Sequence, residues 1–237
     1  MNEQNIISKY VPNFITLLSL SSGFTSIRFS LNGELEIAIY LILLATIFDF
    51  FDGWFARKLK SKSNFGAELD SLSDFVSFGV APSFLIYLWS TNTLGSLGWG
   101  ATLFFVICSA LRLARFTADI YITNKPIDDN EYFVGVPSPA AAGLLLLPLF
   151  IFFEFDFDFL KNEYLNLVIT MIIGIMMISK IPTISIKKIQ INQRYKTWIF
   201  LIFVIVCVAL ISKIWLTLVA VLSLYLLSII YTVFKTR

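Results

Sequence analysis

The sequence contains no histidine, only two cysteines and little charge, with 14% of its 237 residues being Asp, Glu, Lys or Arg. Without histidine there is no Ser-His or Cys-His nucleophile system, which leaves carboxylates, Lys and Tyr as acid–base groups. Cys108 and Cys207 both lie within apolar runs, an argument against a disulfide framework and against a thiolate metal site. The net charge is only +2, and no nucleic-acid partner is expected. What fills the chain instead is apolar: 57% hydrophobic and 16% aromatic residues, far from the balance of a soluble domain.

The apolar residues fall into segments of about the length a bilayer span needs, roughly 17–25 residues. They recur along the whole chain with short polar connections and no domain boundary. The expected fold is therefore an all-α integral membrane protein, a polytopic bundle of about eight transmembrane helices in one membrane domain. The N-terminal MNEQNIISKY is polar and has no cleavage site, so it reads as a short interfacial helix rather than a signal peptide. Pro12 suits the start of the first span, which runs to about Ser30, and Ser19 to Gly23 suit close helix packing. A second span is expected from about Leu35 into the acidic stretch that begins at Asp49, a fifth from GVPSPAAAG up to about Phe153, and others at about 69–89, 98–116, 165–179, 198–211 and 214–234. Residues 180–196 read as a basic surface segment, and the break at Ser212 and Lys213 divides the C-terminal helix pair.

Eight spans place both termini on one side of the membrane. Of the 18 Lys and Arg, only Arg28, Lys161 and Lys213 fall on the other side. By the positive-inside rule the termini then face the cytoplasm, and the expected location is the cell membrane.

The stretch from Asp49 to Asp74, DFFDGWFARKLKSKSNFGAELDSLSD, sits at that cytoplasmic face. Asp49 and Asp52 are three apart and Asp70 and Asp74 four apart, so on helices each pair shares a face, its members roughly 40–60° apart. Carboxylates at membrane depth are costly unless paired or bound to metal. Hard cations such as Mg²⁺ take carboxylate oxygens and substrate phosphates, and two such ions clamp a pyrophosphate for in-line displacement at phosphorus. Gly53 and Ala56 leave room for a nucleotide or for a neighbouring helix. Arg57 can pair with a phosphate or a carboxylate. Paired aspartates alone would also fit a divalent-cation transporter, but such a pathway has no need of Gly53, Ala56, Arg57 and Gly66.

The pattern D-x2-D-G-x2-A-R-x8-G-x3-D-x3-D is met at Asp49, Asp52, Gly53, Ala56, Arg57, Gly66, Asp70 and Asp74. A chance match has a probability of roughly 10⁻¹⁰ per starting point. On these residues the chain resembles the CDP-alcohol phosphotransferase family, closely at the motif and more loosely over six spans from Pro12 to about Ser179. The remainder, 180–237, adds only the basic segment and the hydropathy of two spans. The resemblance implies that Asp49, Asp52 and Asp70 ligate Mg²⁺ or Mn²⁺, two ions in all. Asp74 would be the general base with a share in the second ion. Gly53, Ala56, Arg57 and Gly66 would lie at the nucleotide and pyrophosphate. A homodimer is also implied.

The acceptor is read from the surroundings of the motif. LDSLSDFVSFGVAPS carries Ser71 and Phe75 where glycerophosphate-transferring relatives show a proline and a lysine. This stretch resembles the serine-transferring branch, as do LRLARF at 111–116, FVGVPSPAAAG at 133–143 and PNFITLLSLSSGF near the start. The implied reaction joins CDP-diacylglycerol and L-serine, with glycerol 3-phosphate or an inositol phosphate as the alternative acceptors. Arg112 and Arg115 are candidates for holding the serine carboxylate or a lipid phosphate, interfacial anchoring being the other reading. Asn13, Thr16 and Asp119 are weaker candidates. Pro137 and Pro139 shape the entry to the fifth span.

Overall fold

In a computed structural model the backbone is described for residues 3–59, 61, 63–123, 132–179, 182–184 and 193–235, and side chains for 10–59, 61, 63–118, 135–179, 201 and 204–235. Eight helical rods occupy the described residues: α1 (Glu3–Leu31), α2 (Leu35–Lys58), α3 (Asn64–Trp89), α4 (Ser96–Thr123), α5 (Ser138–Phe155), α6 (Glu163–Ile178), α7 (Gln193–Ser212) and α8 (Ile214–Lys235). Five contain stretches long and apolar enough to cross a membrane: Tyr10–Leu31, Asn64–Trp89, Ser96–Ala118, Ser138–Phe155 and Ile214–Lys235. The apolar α6 is shorter, and α2 carries Glu36, Asp49, Asp52, Arg57 and Lys58. Large apolar side chains face outward, Ile211 at 88% and Phe234 at 75% exposure. Such a surface suits lipid, since water-soluble proteins avoid extensive apolar patches. The protein is a polytopic, all-α membrane protein.

Two expectations are corrected. There is no separate interfacial helix at the N-terminus: α1 is continuous from Glu3 to Leu31, and Pro12 lies inside it rather than at its start. Proline forfeits one backbone hydrogen bond, a loss that membrane helices tolerate where neighbouring groups re-satisfy the backbone. Most of the basic segment 180–196, together with Lys60, Lys62, Lys125, Arg237 and the side chains of Lys9 and Asp119, lies outside the described residues. Pro182–Ile184, within that segment, forms a strand antiparallel to Tyr132–Val134. This ribbon ties the α4–α5 connection to the α6–α7 connection.

The first helix organises the half of the bundle that carries the acidic motif. Thr16, Ser19, Ser22, Ser26 and Ser30 are buried along one stripe of α1. The stripe meets α2 through Ser19 Oγ, which donates to the Ala45 carbonyl at 2.9 Å. It meets α3 through Ser73 Oγ and Ser77 Oγ, which donate to the carbonyls of Thr16 and Ser19, each at 3.2 Å. Small hydroxyl side chains allow this close approach while donating to backbone carbonyls in an apolar medium. Within α3, Phe75–Val80 winds as a π-helical segment directly after Asp74, a local widening common at functional sites. Gly79 faces Ser109 of α4, where an added Cβ would lie 2.6 Å from the hydroxyl oxygen.

At the opposite end, Asn166 of α6 donates to Ser90 Oγ and to the Leu160 carbonyl, and Ser90 Oγ donates to the Lys161 carbonyl. The C-terminal α8 is fastened by Trp215, which stacks with Tyr40 of α2 and Phe150 of α5 at 5.6 and 6.0 Å between ring centroids.

A Cβ at Gly23 would lie 2.6 Å from Ser77 Cα, so a Gly23→Leu protein is expected to lose about 1–3 kcal/mol by overpacking. Thermal unfolding in detergent should show the midpoint lowered by several degrees, roughly as that loss predicts. An unchanged midpoint would mean that α1 and α3 do not pack this closely.

Candidate active site

Because α1 packs against both α2 and α3, acidic side chains near the end of α2 and the start of α3 can reach one another. The chain between them is short: α2 ends at Lys58, and Ser63 caps α3 by accepting from the Gly66 amide at 3.0 Å. One carboxylate oxygen each from Asp49, Asp70 and Asp74 then lies within 4.8 Å of the others. Asp52 stands apart from this trio. It is buried at 5% exposure, and Thr16 Oγ1 donates to its Oδ2 at 2.6 Å. It remains close enough to interact with the charges of Asp49 and Asp70.

The donor set fits a hard divalent cation, which prefers carboxylate oxygens. Asp74 Oδ1 is buried with no hydrogen-bond partner, a costly arrangement that a cation would relieve. The clustered aspartates can therefore coordinate a divalent cation.

The other motif residues differ in what surrounds them. An added Cβ at Gly53 would meet only the Arg57 guanidinium, at 3.4 Å. The space beside Gly53 is thus open to a ligand and not filled by a neighbouring helix. Arg57 is exposed. Ala56 is half-buried near the end of α2. Gly66 lies against α1, where a Cβ would sit 3.1 Å from Asn13 Oδ1.

Arg112 and Arg115 separate. Arg115 is exposed, and its Nη2 donates to the Ile178 carbonyl at 3.2 Å, closing the C-terminus of α6. Arg112 turns inward: its Nη1 donates to Ser138 Oγ at 2.8 Å, and it is near enough to Asp74 for their charges to interact. Ser71 Oγ shares a hydrogen bond with Thr117 Oγ1 at 3.2 Å, joining α3 to α4. Three residues that sequence reasoning gave little or no weight, Thr16, Ser138 and Tyr225, also converge on this end. Only Thr16 left a signal, a hydroxyl on the apolar first span near an acidic motif. A cavity lined by Trp89, Ser90, Asp158, Lys161 and Glu163 lies at the other end of α3, remote from the aspartates.

The chain is similar to known proteins. The model of the CDP-alcohol phosphatidyltransferase family matches residues 9–234. The chain belongs to that family. The match runs through both C-terminal helices, past the six spans on which the motif-based resemblance rests. Among similar proteins is a CDP-diacylglycerol–serine O-phosphatidyltransferase of Mycobacterium leprae, 45% identical over 132 residues, which are 56% of this chain and 44% of that protein. A protein of the same name from Methanocaldococcus jannaschii is 34% identical over 203 residues, 85% of this chain and 84% of its own. An archaetidylserine synthase of Methanothermobacter thermautotrophicus is 39% identical over 151 residues, covering 60% and 59%. The chain spans less than half the length of the mycobacterial relatives it matches.

Three crowded carboxylates should destabilise the metal-free protein by mutual repulsion. Asp70→Asn is expected to raise the metal-free unfolding midpoint by about 2–4 °C. The same change should remove most of the further rise that millimolar Mn²⁺ produces in the unaltered protein. An Asp70→Asn protein that responds to Mn²⁺ like the parent would contradict the assignment.

Proposed function

We propose that this protein transfers the phosphatidyl group of CDP-diacylglycerol to the hydroxyl of L-serine, giving phosphatidylserine and CMP. The observation that carries the reading is the meeting of Asp49, Asp70 and Asp74 beside the open space at Gly53. A carboxylate cluster next to room for a nucleotide is what displacement at a CDP phosphorus requires. Serine as acceptor is supported by the names of relatives aligned over most of the chain.

In this reading Asp49, Asp52, Asp70 and Asp74 hold two Mg²⁺ or Mn²⁺ ions. Bound there, the ions would neutralise the pyrophosphate and the charge on the departing CMP. Thr16 keeps Asp52 turned towards the site by its hydrogen bond to Oδ2. Gly53 and Ala56 admit the cytidine nucleotide to the surface of α2, and Arg57, over Gly53, meets its phosphates. Gly66 lets the start of α3 sit close to α1, so that the pyrophosphate can reach Asp70. Asp74 accepts the serine hydroxyl proton as the serine oxygen bonds to phosphorus and the phosphorus–oxygen bond to CMP breaks. Arg112, already beside Asp74, is the cation available to the acceptor, and Arg115 secures α6.

The eight rods are read as eight membrane spans, with both termini and the aspartates at the cytoplasmic face of the cell membrane. Acyl chains then stay in lipid while nucleotide and serine enter from water. A homodimer is part of the same reading.

The test is CMP release by purified protein given CDP-diacylglycerol and Mg²⁺ or Mn²⁺, with serine, glycerol 3-phosphate or inositol phosphate offered in turn. Release with serine alone is expected. Release only with another acceptor would overturn the reading. For Asp74→Asn, kcat should fall roughly 10²–10⁴-fold, the usual contribution of a general base, while CDP-diacylglycerol binding is largely kept. Near-normal turnover in that variant would remove the base role.

A further inference from the structure

Beside Asp74 the bundle buries a second group of polar atoms, drawn from three helices that the motif does not include. Arg112 comes from α4, Ser138 from the first turn of α5 and Tyr225 from the middle of α8. Ser138 holds one side of the guanidinium through Nη1. On the other side Arg112 Nε is buried and has no hydrogen-bond partner, and the Tyr225 hydroxyl is likewise buried without one. Tyr225 and Arg112 are close enough to interact electrostatically, and Arg112 is equally within reach of Asp74. Unpartnered donors in a membrane interior are expensive, and native proteins rarely leave them so without a reason.

Ser138 is itself placed with care. Gly135, at φ 79°, brings the chain against the end of α6, where a Cβ would lie 2.6 Å from the Met177 carbonyl oxygen. The Val136 amide donates to the Met176 carbonyl at 3.4 Å. The turn that presents Ser138 to Arg112 is thereby anchored to a neighbouring helix.

We infer that Arg112 and Tyr225 form the subsite for the acceptor's carboxylate, with Ser138 fixing the guanidinium and Tyr225 on the last helix setting specificity for an amino acid. The inference rests on serine being the acceptor. A guanidinium held on one side presents its Nε side to a planar carboxylate, the geometry at which arginine excels. Tyrosine adds a hydroxyl donor at the same point. In serine only two carbons separate the carboxylate carbon from the reacting oxygen, so a carboxylate on Arg112 leaves the hydroxyl beside Asp74. An acceptor without a carboxylate would leave both donors unsatisfied, and sites built around a polar group reject analogues lacking it.

The experiment compares unaltered protein with Tyr225→Phe, which removes one oxygen, measuring KM and kcat for serine and for serinamide and KM for CDP-diacylglycerol. For Tyr225→Phe the serine KM should rise about tenfold, as loss of a hydrogen bond to a charged group predicts. Its kcat and its KM for CDP-diacylglycerol should stay within about twofold, and kcat/KM for serinamide, which has no carboxylate, should barely change. An unaltered serine KM, or equal losses with serine and serinamide, would overturn the subsite while leaving serine as the acceptor. Parent protein that releases CMP with glycerol 3-phosphate but not with serine would overturn both.

Discussion

Asp49, Asp70 and Asp74 bring carboxylate oxygens within 4.8 Å of one another at the end of an apolar bundle, and their mutual repulsion is the constraint that the surrounding structure must resist. Left to itself such a cluster would spread or protonate. It is held by helices on which the three residues have little freedom. Asp49 lies on the inner side of α2, while Asp70 and Asp74 occupy successive turns of α3 immediately before its π-helical segment. A divalent cation would convert this liability into binding energy, and the chemistry proposed for the site follows from having that charge beside the open space at Gly53.

The helix that enforces the arrangement contributes no ligand to the trio. α1 acts through its stripe of small hydroxyl residues, which grips α2 at Ala45 and α3 at Ser73 and Ser77. At the end of that stripe Thr16 reaches Asp52. Packing and chemistry are thus joined in one element: the side chains that permit close approach are the same type that hold a carboxylate in place. Larger apolar residues on this stripe would satisfy the membrane equally well but would hold the two acidic helices apart.

Much of the fold was legible because each rod is an apolar run bounded by charge or by turn residues, and the break at Lys213 falls where the hydropathy dips. The aspartates were legible because spacings of three and four residues fix a shared helical face whatever the tertiary structure. What escaped depends on contacts between distant segments. Nothing local distinguishes Arg112 from Arg115, yet one turns to Ser138 and the other closes α6. Nothing marks Tyr225 among the aromatic residues of a hydrophobic helix. The placement of Asp52 also differs from that of its motif partners: it lies outside the trio, and Thr16, far earlier in the chain, takes one of its oxygens. At the N-terminus, polarity suggested a separate surface helix, but composition does not reveal that the backbone runs on through Pro12.

The central claim is that the aspartate trio holds a divalent cation. Anomalous diffraction from crystals grown with Mn²⁺ tests it most directly. The account predicts a manganese peak bounded by the carboxylates of Asp49, Asp70 and Asp74, lost in crystals of Asp70→Asn. Crystals of catalytically competent protein with manganese elsewhere and none at these three residues would contradict it.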